Sequence, residues 1–238
     1  MALELVVFDC DGVLVDSERL VVAVEARILT ELGWPHTPEE VAERWMGRSS
    51  AAQLADLEEH LGAEATRLFD ELSSRESLAV FDRDLVAVPG IDAVLDALDT
   101  AEVCSCVASS GSHTKMERTL GQTGLYDRFQ GRIFSADDVA HGKPAPDLFL
   151  HAADRLGVSP AACAVVEDSV YGVRAGVAAG MRVLGFAGGL TSAEALQDAG
   201  ADVFAEMADL TPLLLADLPS ASCAPSSHPT TPRSTSTG

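Results

Sequence analysis

Residues 3–18 of this 238-residue chain read LELVVFDCDGVLVDSE, and this stretch decides the fold. Its first six residues are mostly apolar, rich in valine and followed at once by polar residues and a glycine, which predicts a short buried strand. Asp9 and Asp11 come where that strand ends, and Gly12 permits a sharp turn without the steric cost of a Cβ. Because ligands in open α/β sheets bind beyond the carboxyl ends of the strands, the stretch predicts a functional site there.

The two aspartates are suited to catalysis or to a turn. One carboxylate can attack a phosphorus or carbon centre, while the other moves a proton or helps to hold a metal. Asp-x-Asp-Gly is also common turn chemistry, so the stretch alone leaves a purely structural role open. The rest of the chain has to decide between these interpretations.

Composition and charge restrict the class of protein. The apolar fraction of 47% is ordinary for a globular protein. No apolar run approaches the ~20 residues needed to span a bilayer, and no basic segment precedes the first apolar run, so we expect a soluble cytoplasmic protein. The net charge of −21 repels nucleic acid and anionic membranes, so we expect neither as a partner. We expect a monomer or a weak dimer that acts on a small molecule.

Cysteine and histidine spacing indicates no metal site. The five cysteines form no C-x-x-C pair, and the six histidines form no H-E-x-x-H cluster. Any metal in this protein is therefore expected to use oxygen ligands.

Helical periodicity separates one segment from the rest of the chain. Residues 17–84 carry apolar residues at helical spacing and no convincing strand, with helical stretches predicted at 51–61 and 64–79. From residue 85 onward, apolar runs alternate with helical stretches. Strands are predicted at 103–108, 163–166 and 182–186, with shorter ones near 133–134 and 202–204.

This alternation predicts an α/β fold with a doubly wound parallel sheet. The core domain is then discontinuous, formed by residues 1–16 and 85–218, and the helical segment 17–84 is an inserted cap domain. Residues 219–238 are mostly Ser, Thr, Pro and Ala, a composition that cannot bury enough apolar surface to fold. We expect them to form a disordered tail.

Three later strand ends carry polar residues that suit a single reaction. Ser109 and Ser110 follow a predicted strand, where hydroxyls and free N–H groups at a helix start can cradle a phosphate or simply cap the helix. Prolines stiffen the loop around Lys143, so we expect this lysine to be fixed in front of a helix. Glu167 and Asp168 end another strand, where two carboxylates can complete an oxygen site for Mg²⁺ or only favour a helix dipole.

The order of these stretches resembles one family. An acid pair, a serine, a Lys-Pro pair and a second acid pair each follow a predicted strand. In this order the chain resembles the haloacid dehalogenase (HAD) superfamily, subfamily I, in the phosphatase and β-phosphoglucomutase-like branch with a helical cap. The resemblance implies a Rossmann-like core and a Mg²⁺-dependent phosphatase acting on a small phosphorylated sugar, polyol or sugar acid. The matching stretches are DCDGVLVDSE (9–18), ASS (108–110), GKPAPD (142–147) and EDS (167–169), with Gly172 and Gly176.

The same resemblance implies a role for each acidic and basic residue. Asp9 is the nucleophile that carries the phosphoryl group and also a Mg²⁺ ligand. Asp11 is the general acid/base, and its backbone carbonyl binds Mg²⁺. Lys143, together with Ser109, holds the phosphoryl oxygens. Asp168 is a further Mg²⁺ ligand, and Glu167 supports the metal directly or through water.

The cap is expected to close over the site, exclude water and contact the leaving group. The loop at residues 47–50 occupies the position of the family's specificity loop, and Arg48 could meet a polar or anionic part of the substrate or be an ordinary surface arginine. Gly12 and Ser110 complete the predicted substrate-binding set.

Other activities share these motifs. A β-phosphoglucomutase-type mutase has a cap histidine and a loop arginine where this chain has Val21 and Ser50, although Arg48 is close enough to compensate. Dehalogenases of the family typically lack the second aspartate, here Asp11. Phosphonate hydrolysis needs a cap lysine, and residues 17–84 contain none. A non-catalytic module on the same fold is expected to have lost an essential residue, and none is missing.

Overall fold

Strand β1 (Leu5–Phe8) forms where the sequence predicts it and lies inside a six-stranded parallel sheet. The structure is a computed structural model that describes residues 2–46, 48 and 50–216, so the predicted tail at 219–238 lies outside the described residues. All four β1 side chains are fully buried. A strand covered on both faces needs apolar residues at every position, which explains why β1 shows no alternation.

The sheet has the strand order β3-β2-β1-β4-β5-β6, and all neighbouring strands run parallel. This order confirms the predicted α/β class with a doubly wound parallel sheet. The chain starts near the middle of the sheet and extends it first to one edge and then to the other. The remaining strands are β2 (Cys104–Ser109), β3 (Ile133–Ser135), β4 (Cys163–Glu167), β5 (Arg182–Phe186) and β6 (Asp202–Phe204).

Helices cover both faces of the sheet and form two hydrophobic clusters. Val6 and Phe8 of β1 point into one cluster, and Leu5 and Val7 point into the other, as the alternation of side chains along a strand requires. The first cluster contains side chains of α5 (Ile91–Thr100), α6 (His113–Gln122) and α10 (Met207–Leu215). The second contains side chains of α7 (Asp147–Leu156), α8 (Val170–Ala178) and α9 (Ala193–Ala199). Short 3₁₀ helices occur at Tyr126–Phe129, Ala136–Asp138 and Pro160–Ala162.

The inserted segment contains four helices with a hydrophobic cluster of their own. These are α1 (Glu18–Glu31), α2 (Pro38–Trp45), α3 (Ser50–Leu61) and α4 (Ala63–Asp84). Ile28, Trp45 and Phe69 are among the buried residues of this cluster. Thr37 begins α2 with a capping box, in which its hydroxyl accepts from the Glu40 N–H and the Glu40 carboxylate accepts from the Thr37 N–H.

Helix α4 runs five residues beyond the predicted end at residue 79. The additional turn places Phe81 in the first cluster of the sheet, with Val6 and Phe8, rather than in the cluster of the inserted helices. Helical periodicity weakens there because the apolar side changes its partner from the insert to the core. Phe81 therefore links the two parts of the molecule.

Polar contacts also join the inserted helices to the core. Arg19 of α1 donates to the carbonyl of Gly188 over 2.9 Å, and Arg118 of α6 donates to Asp82 of α4 over 2.6 Å. We propose that helices α1–α4 act as the cap that the sequence predicts. No helix within the described ranges is both long and apolar enough to cross a membrane.

Candidate active site

The carboxyl ends of three adjacent strands meet under the inserted helices. Strand β1 ends before Asp9, β2 ends at Ser109 and β4 ends at Glu167, and β1 lies between the other two in the sheet. A cavity of about 580 Å³ opens at the carboxyl ends of these strands and is lined by residues from both the core and the inserted helices. The sheet order thus brings together stretches that lie up to 158 positions apart in the sequence.

Lys143 lies at the floor of the cavity and joins two predicted site residues. Its ammonium donates to Asp9 Oδ1 over 2.5 Å, to Glu167 Oε1 over 2.6 Å and to the carbonyl of Ala108 over 3.1 Å. Only 2% of the Lys143 side chain is exposed. A lysine so deeply buried and held by three acceptors is a fixed positive charge rather than a mobile surface group.

Burial and neighbouring charges set the pKa values of this pair. Burial raises the pKa of Asp9 to about 7, with Glu167 and Asp11 adding to the rise and Lys143 opposing it. Burial acts to lower the pKa of Lys143, but the adjacent carboxylates outweigh it and raise that pKa above its usual value. Lys143 therefore stays charged beside Asp9.

Asp11 has a separate set of partners. Lys115 donates to Asp11 Oδ2 over 2.7 Å, and the Ser17 hydroxyl donates to Oδ1 over 2.5 Å. Burial acts to raise the pKa of Asp11, but the Lys115 ion pair and these hydrogen bonds outweigh it and lower that pKa below its usual value. The two aspartates, one residue apart, thus differ in their affinity for a proton.

Glu167 holds Lys143 and the start of α8 in place. Its Oε2 accepts from both the backbone N–H and the hydroxyl of Ser169, over 2.9 and 2.8 Å, while its Oε1 accepts from Lys143. A Cβ on Gly172 would come within 1.7 Å of Glu167 Oε1, so the glycine is needed for this close approach. Both carboxylate oxygens of Glu167 therefore accept hydrogen bonds from protein groups.

Asp168 differs from Glu167 because its buried Oδ2 accepts from no nitrogen or hydroxyl donor and faces the Glu18 carboxyl, with which it shares a hydrogen bond when one of the two groups is protonated. Oε2 of Glu18 is buried as well, and both oxygens lie within 2.9 Å of the point where a Cβ on Gly12 would stand. Burial raises the pKa of both carboxyls, and their mutual proximity raises that of Asp168 further. Gly12, whose φ is +77°, leaves the space that these oxygens face.

This region fits a hard cation such as Mg²⁺. The available donors are oxygens, the ligand type that Mg²⁺ prefers, and a cation would balance the facing carboxyls of Asp168 and Glu18 without the proton that they otherwise share. The described residues contain no three His, Cys, Asp or Glu side chains already arranged around one point. The predicted set is Asp9, the Asp11 carbonyl, Asp168 and, directly or through water, Glu167, and Mg²⁺ usually keeps several waters of its own.

The predicted phosphate and substrate residues all line the cavity except Gly12, which lies next to the Asp168 carboxylate. Ser109 is buried and its hydroxyl accepts from the N–H of Gly111 over 3.1 Å, whereas Ser110 is exposed at the rim. Arg48 is exposed, and its Nε donates to the hydroxyl of Tyr171 on the core over 3.0 Å. Arg48 therefore bridges cap and core at the cavity mouth.

Sequence reasoning missed the roles of Lys115, Ser17 and Glu18. Ser17 and Glu18 belong to the quoted first stretch, but nothing in their spacing indicates that they turn back toward Asp11 and Asp168. Lys115 lies in the first turns of α6, which starts just after the Ser109 strand end. That proximity, in a chain with only 16 basic residues, was the available signal.

Known proteins are similar to this chain in both sequence and fold. The family model for haloacid dehalogenase-like hydrolases matches residues 3–180. A 6-phosphogluconate phosphatase of Escherichia coli is 35% identical over 77% of this chain and 82% of its own length. Hexitol phosphatase A of the same organism is 34% identical over 74% of this chain and 80% of its own length.

A solved structure gives the same result for the fold. A haloacid dehalogenase-like protein of Agrobacterium tumefaciens has a TM-score of 0.78 and 38% identity, with 90% of this chain and 99% of that chain covered. The named phosphatases among the relatives confirm the predicted enzyme class, a hydrolase of phosphoric monoesters. With its strand order and its sequence in agreement with these proteins, the chain belongs to the haloacid dehalogenase-like hydrolases.

Proposed function

We propose that the chain is a Mg²⁺-dependent phosphatase that transfers the phosphoryl group of a small sugar, polyol or sugar-acid phosphate first to Asp9 and then to water. The observation that carries this proposal is the buried contact between Asp9 and Lys143 at the floor of a cavity under the cap. Relatives whose names specify phosphorylated sugar acids and hexitols support the substrate range.

Asp9 lines the cavity beside Lys143, and we assign the attack on phosphorus to its carboxylate. Phosphoryl transfer depends on alignment and on positive charge near the phosphoryl oxygens, and Lys143 supplies such a charge without having to move. Ser109 adds a hydroxyl at the end of the neighbouring strand. When bound, Mg²⁺ would supply further positive charge to the phosphoryl oxygens, held by Asp9, Asp168 and the Asp11 carbonyl.

Asp11 moves the proton in both steps. It donates to the leaving oxygen when the ester is cleaved and accepts from the attacking water when the aspartyl phosphate is hydrolysed. The ion pair with Lys115 and the hydrogen bond from Ser17 favour the ionised form, which is the form that accepts a proton from water.

A mutase reaction differs only in the group that attacks the aspartyl phosphate. Val21 lines the cavity at the position where the mutase carries a histidine, and Ser50 lines it at the position of the loop arginine. Neither side chain offers a charge to a second phosphate. This lining favours water as the attacking group.

The experiment measures phosphate release from a panel of phosphorylated metabolites with Mg²⁺, beside an isomerisation assay on β-glucose 1-phosphate with a bisphosphate cofactor. We expect phosphate release and, after a denaturing quench, a phosphoryl group on Asp9. Asp9→Asn should abolish turnover because an amide is a far poorer nucleophile. Asp16→Asn is the matched control, since it makes the same change outside the cavity. Isomerisation without phosphate release, or a phosphoryl group on Ser109, would contradict the proposal.

A further inference from the structure

Several polar side chains of the cap face the active site among the apolar ones. Glu25 of α1, Gln53 of α3, and Ser73 and Ser77 of α4 line the same cavity as Asp9. Helices in a bundle normally direct apolar side chains inward and leave polar ones in water. A group of polar side chains on an inner face therefore calls for a functional explanation.

Glu25 is the centre of this group. Its residue surface is only 8% exposed, and its carboxylate accepts from Gln53 Nε2 over 2.9 Å and from the Ser73 hydroxyl over 3.1 Å. Burial raises the pKa of Glu25, and the hydrogen bonds from Gln53 and Ser73 and the charge of Lys115 only partly offset that rise. No ion pair within the described ranges includes it. Each carboxylate oxygen can accept two hydrogen bonds, so Glu25 retains capacity for further donors.

Ser77 supplies a second, independent sign of a missing ligand. It follows Ser73 by about one helical turn and is 7% exposed, and its hydroxyl is buried without any hydrogen-bond partner. A buried hydroxyl without a partner is unfavourable unless a ligand or water satisfies it. Ser77 and Glu25 together offer one donor and several acceptors, which is the pattern that sugar hydroxyls complement.

Two of the three cationic side chains in the described lining of the cavity are paired with carboxylates. Lys143 pairs with Asp9 and Glu167, and Lys115 pairs with Asp11, whereas Arg48 donates to the neutral Tyr171 hydroxyl and keeps its charge. A carboxylate or second phosphate on the leaving group that approached Glu25 under the cap would be repelled by the charge of Glu25. The chain's net charge of −21 adds to that repulsion.

We propose that Glu25, with Gln53, Ser73 and Ser77, binds the hydroxyls of an uncharged leaving group. The substrate class then narrows to phosphate monoesters of polyols or neutral sugars, and excludes sugar acids and bisphosphates. This inference rests on the proposed phosphatase function and specifies the part of the substrate that the cap contacts.

A pair of substrates tests the charge preference. Glucitol 6-phosphate and 6-phosphogluconate differ only at carbon 1, which is an alcohol in the first and a carboxylate in the second. With Mg²⁺ present, we expect kcat/KM to be at least about tenfold higher for glucitol 6-phosphate. Equal or higher kcat/KM for 6-phosphogluconate would overturn the inference while leaving the phosphatase function intact. Failure to release phosphate from either ester and from acetyl phosphate would instead contradict the phosphatase function.

A pair of variants tests Glu25 itself. Glu25→Gln keeps the shape and removes the charge, so we expect kcat/KM for glucitol 6-phosphate to fall about 10- to 100-fold, the effect of losing a hydrogen bond to a charged group. The loss on acetyl phosphate, whose leaving group has no hydroxyl, should be at least tenfold smaller. Glu31→Gln makes the same change on the same helix at a side chain that is 57% exposed and outside the cavity. Equal losses on both substrates would show that Glu25 only shapes the cap and would overturn its proposed role.

Discussion

Asp9 and Asp11 are separated by one residue, yet their surroundings give them different acid strengths. Asp9 is buried, Asp11 is partly buried, and each faces a lysine. Asp9 also lies near Glu167 and Asp11, and its pKa is raised to about 7, whereas Lys115 and Ser17 lower the pKa of Asp11. Attack by Asp9 requires its ionised form, which the charge of Lys143 favours and which a Mg²⁺ ion bound beside it would favour further. Donation to the leaving oxygen requires Asp11 to carry a proton against its lowered pKa.

A prediction at this scale concerns Gly12. Gly12→Ala should place its Cβ 2.0 Å from Asp168 Oδ2 and displace that carboxylate. We expect Mg²⁺ affinity, measured by isothermal titration calorimetry, to fall on the order of tenfold or more, as it does when a group that orients a metal ligand is changed.

Gly33→Ala is the matched control for Gly12→Ala. Gly33 has a φ of +86°, close to that of Gly12, but a Cβ there would meet nothing within 4 Å. Both variants should lose about 1–2 kcal/mol of unfolding free energy, because an L-residue is strained in the left-handed region. Only Gly12→Ala should also lose Mg²⁺ affinity. An equal affinity in the two variants would contradict the placement of the metal beside Asp168.

At the scale of the elements, the sequence predicted the strands more completely than the contacts at their ends. The buried run of β1 and the alternation after residue 85 follow from apolar patterning, which depends on local sequence, and the structure places all six predicted strands. The predicted end of α4 was wrong because Phe81 packs on the core, and local sequence does not reveal such a long-range contact. Lys115 escaped notice for the same reason, since its partner Asp11 lies 104 positions away.

Glu25 links α1 to α3 and α4, and its burial predicts a pH-dependent stability. Because the pKa of Glu25 is raised above 4.5 in the folded state, the folded protein binds this proton more tightly than the unfolded chain does. The resulting stability is present below about pH 4.5 and is lost as the pH rises through the folded pKa. Glu25→Gln removes this loss.

Thermal unfolding at pH 5 and pH 8 measures the effect. The melting temperature of Glu25→Gln, relative to the unchanged protein, should be higher at pH 8 than at pH 5. Glu31→Gln controls for the removal of one negative charge from an acidic chain, because its side chain is largely exposed. A relative melting temperature that did not change between the two pH values, or that changed equally in both variants, would contradict the raised pKa of Glu25 in the folded protein.

For the whole molecule, the acidic character of the chain and the fold of the sheet act on the same region. The chain carries a net charge of −21, and the sheet order gathers Asp9, Asp11, Glu167 and Asp168 at the carboxyl ends of the strands, where Lys115 and Lys143 are the lysines paired with them among the described residues. A bound cation would relieve their mutual repulsion. Folding and metal binding should therefore be coupled, because the unfolded chain does not assemble this group of carboxylates.

Mg²⁺ should accordingly raise the melting temperature. At a concentration 100 times the dissociation constant, a ligand of the folded state adds about 2.7 kcal/mol of stability, which corresponds to about 5–10 °C for a chain of this size. NaCl at matched ionic strength should give a much smaller rise, since it screens the surface charge without occupying the site. Asp168→Asn should lose most of the Mg²⁺ effect and keep the NaCl effect, because the substitution removes one ligand and leaves the surface nearly unchanged. If Mg²⁺ stabilised Asp168→Asn as strongly as the unchanged protein, the ion would be acting on surface charge. The assignment of the metal site to the carboxyl ends of β1 and β4 would then be wrong.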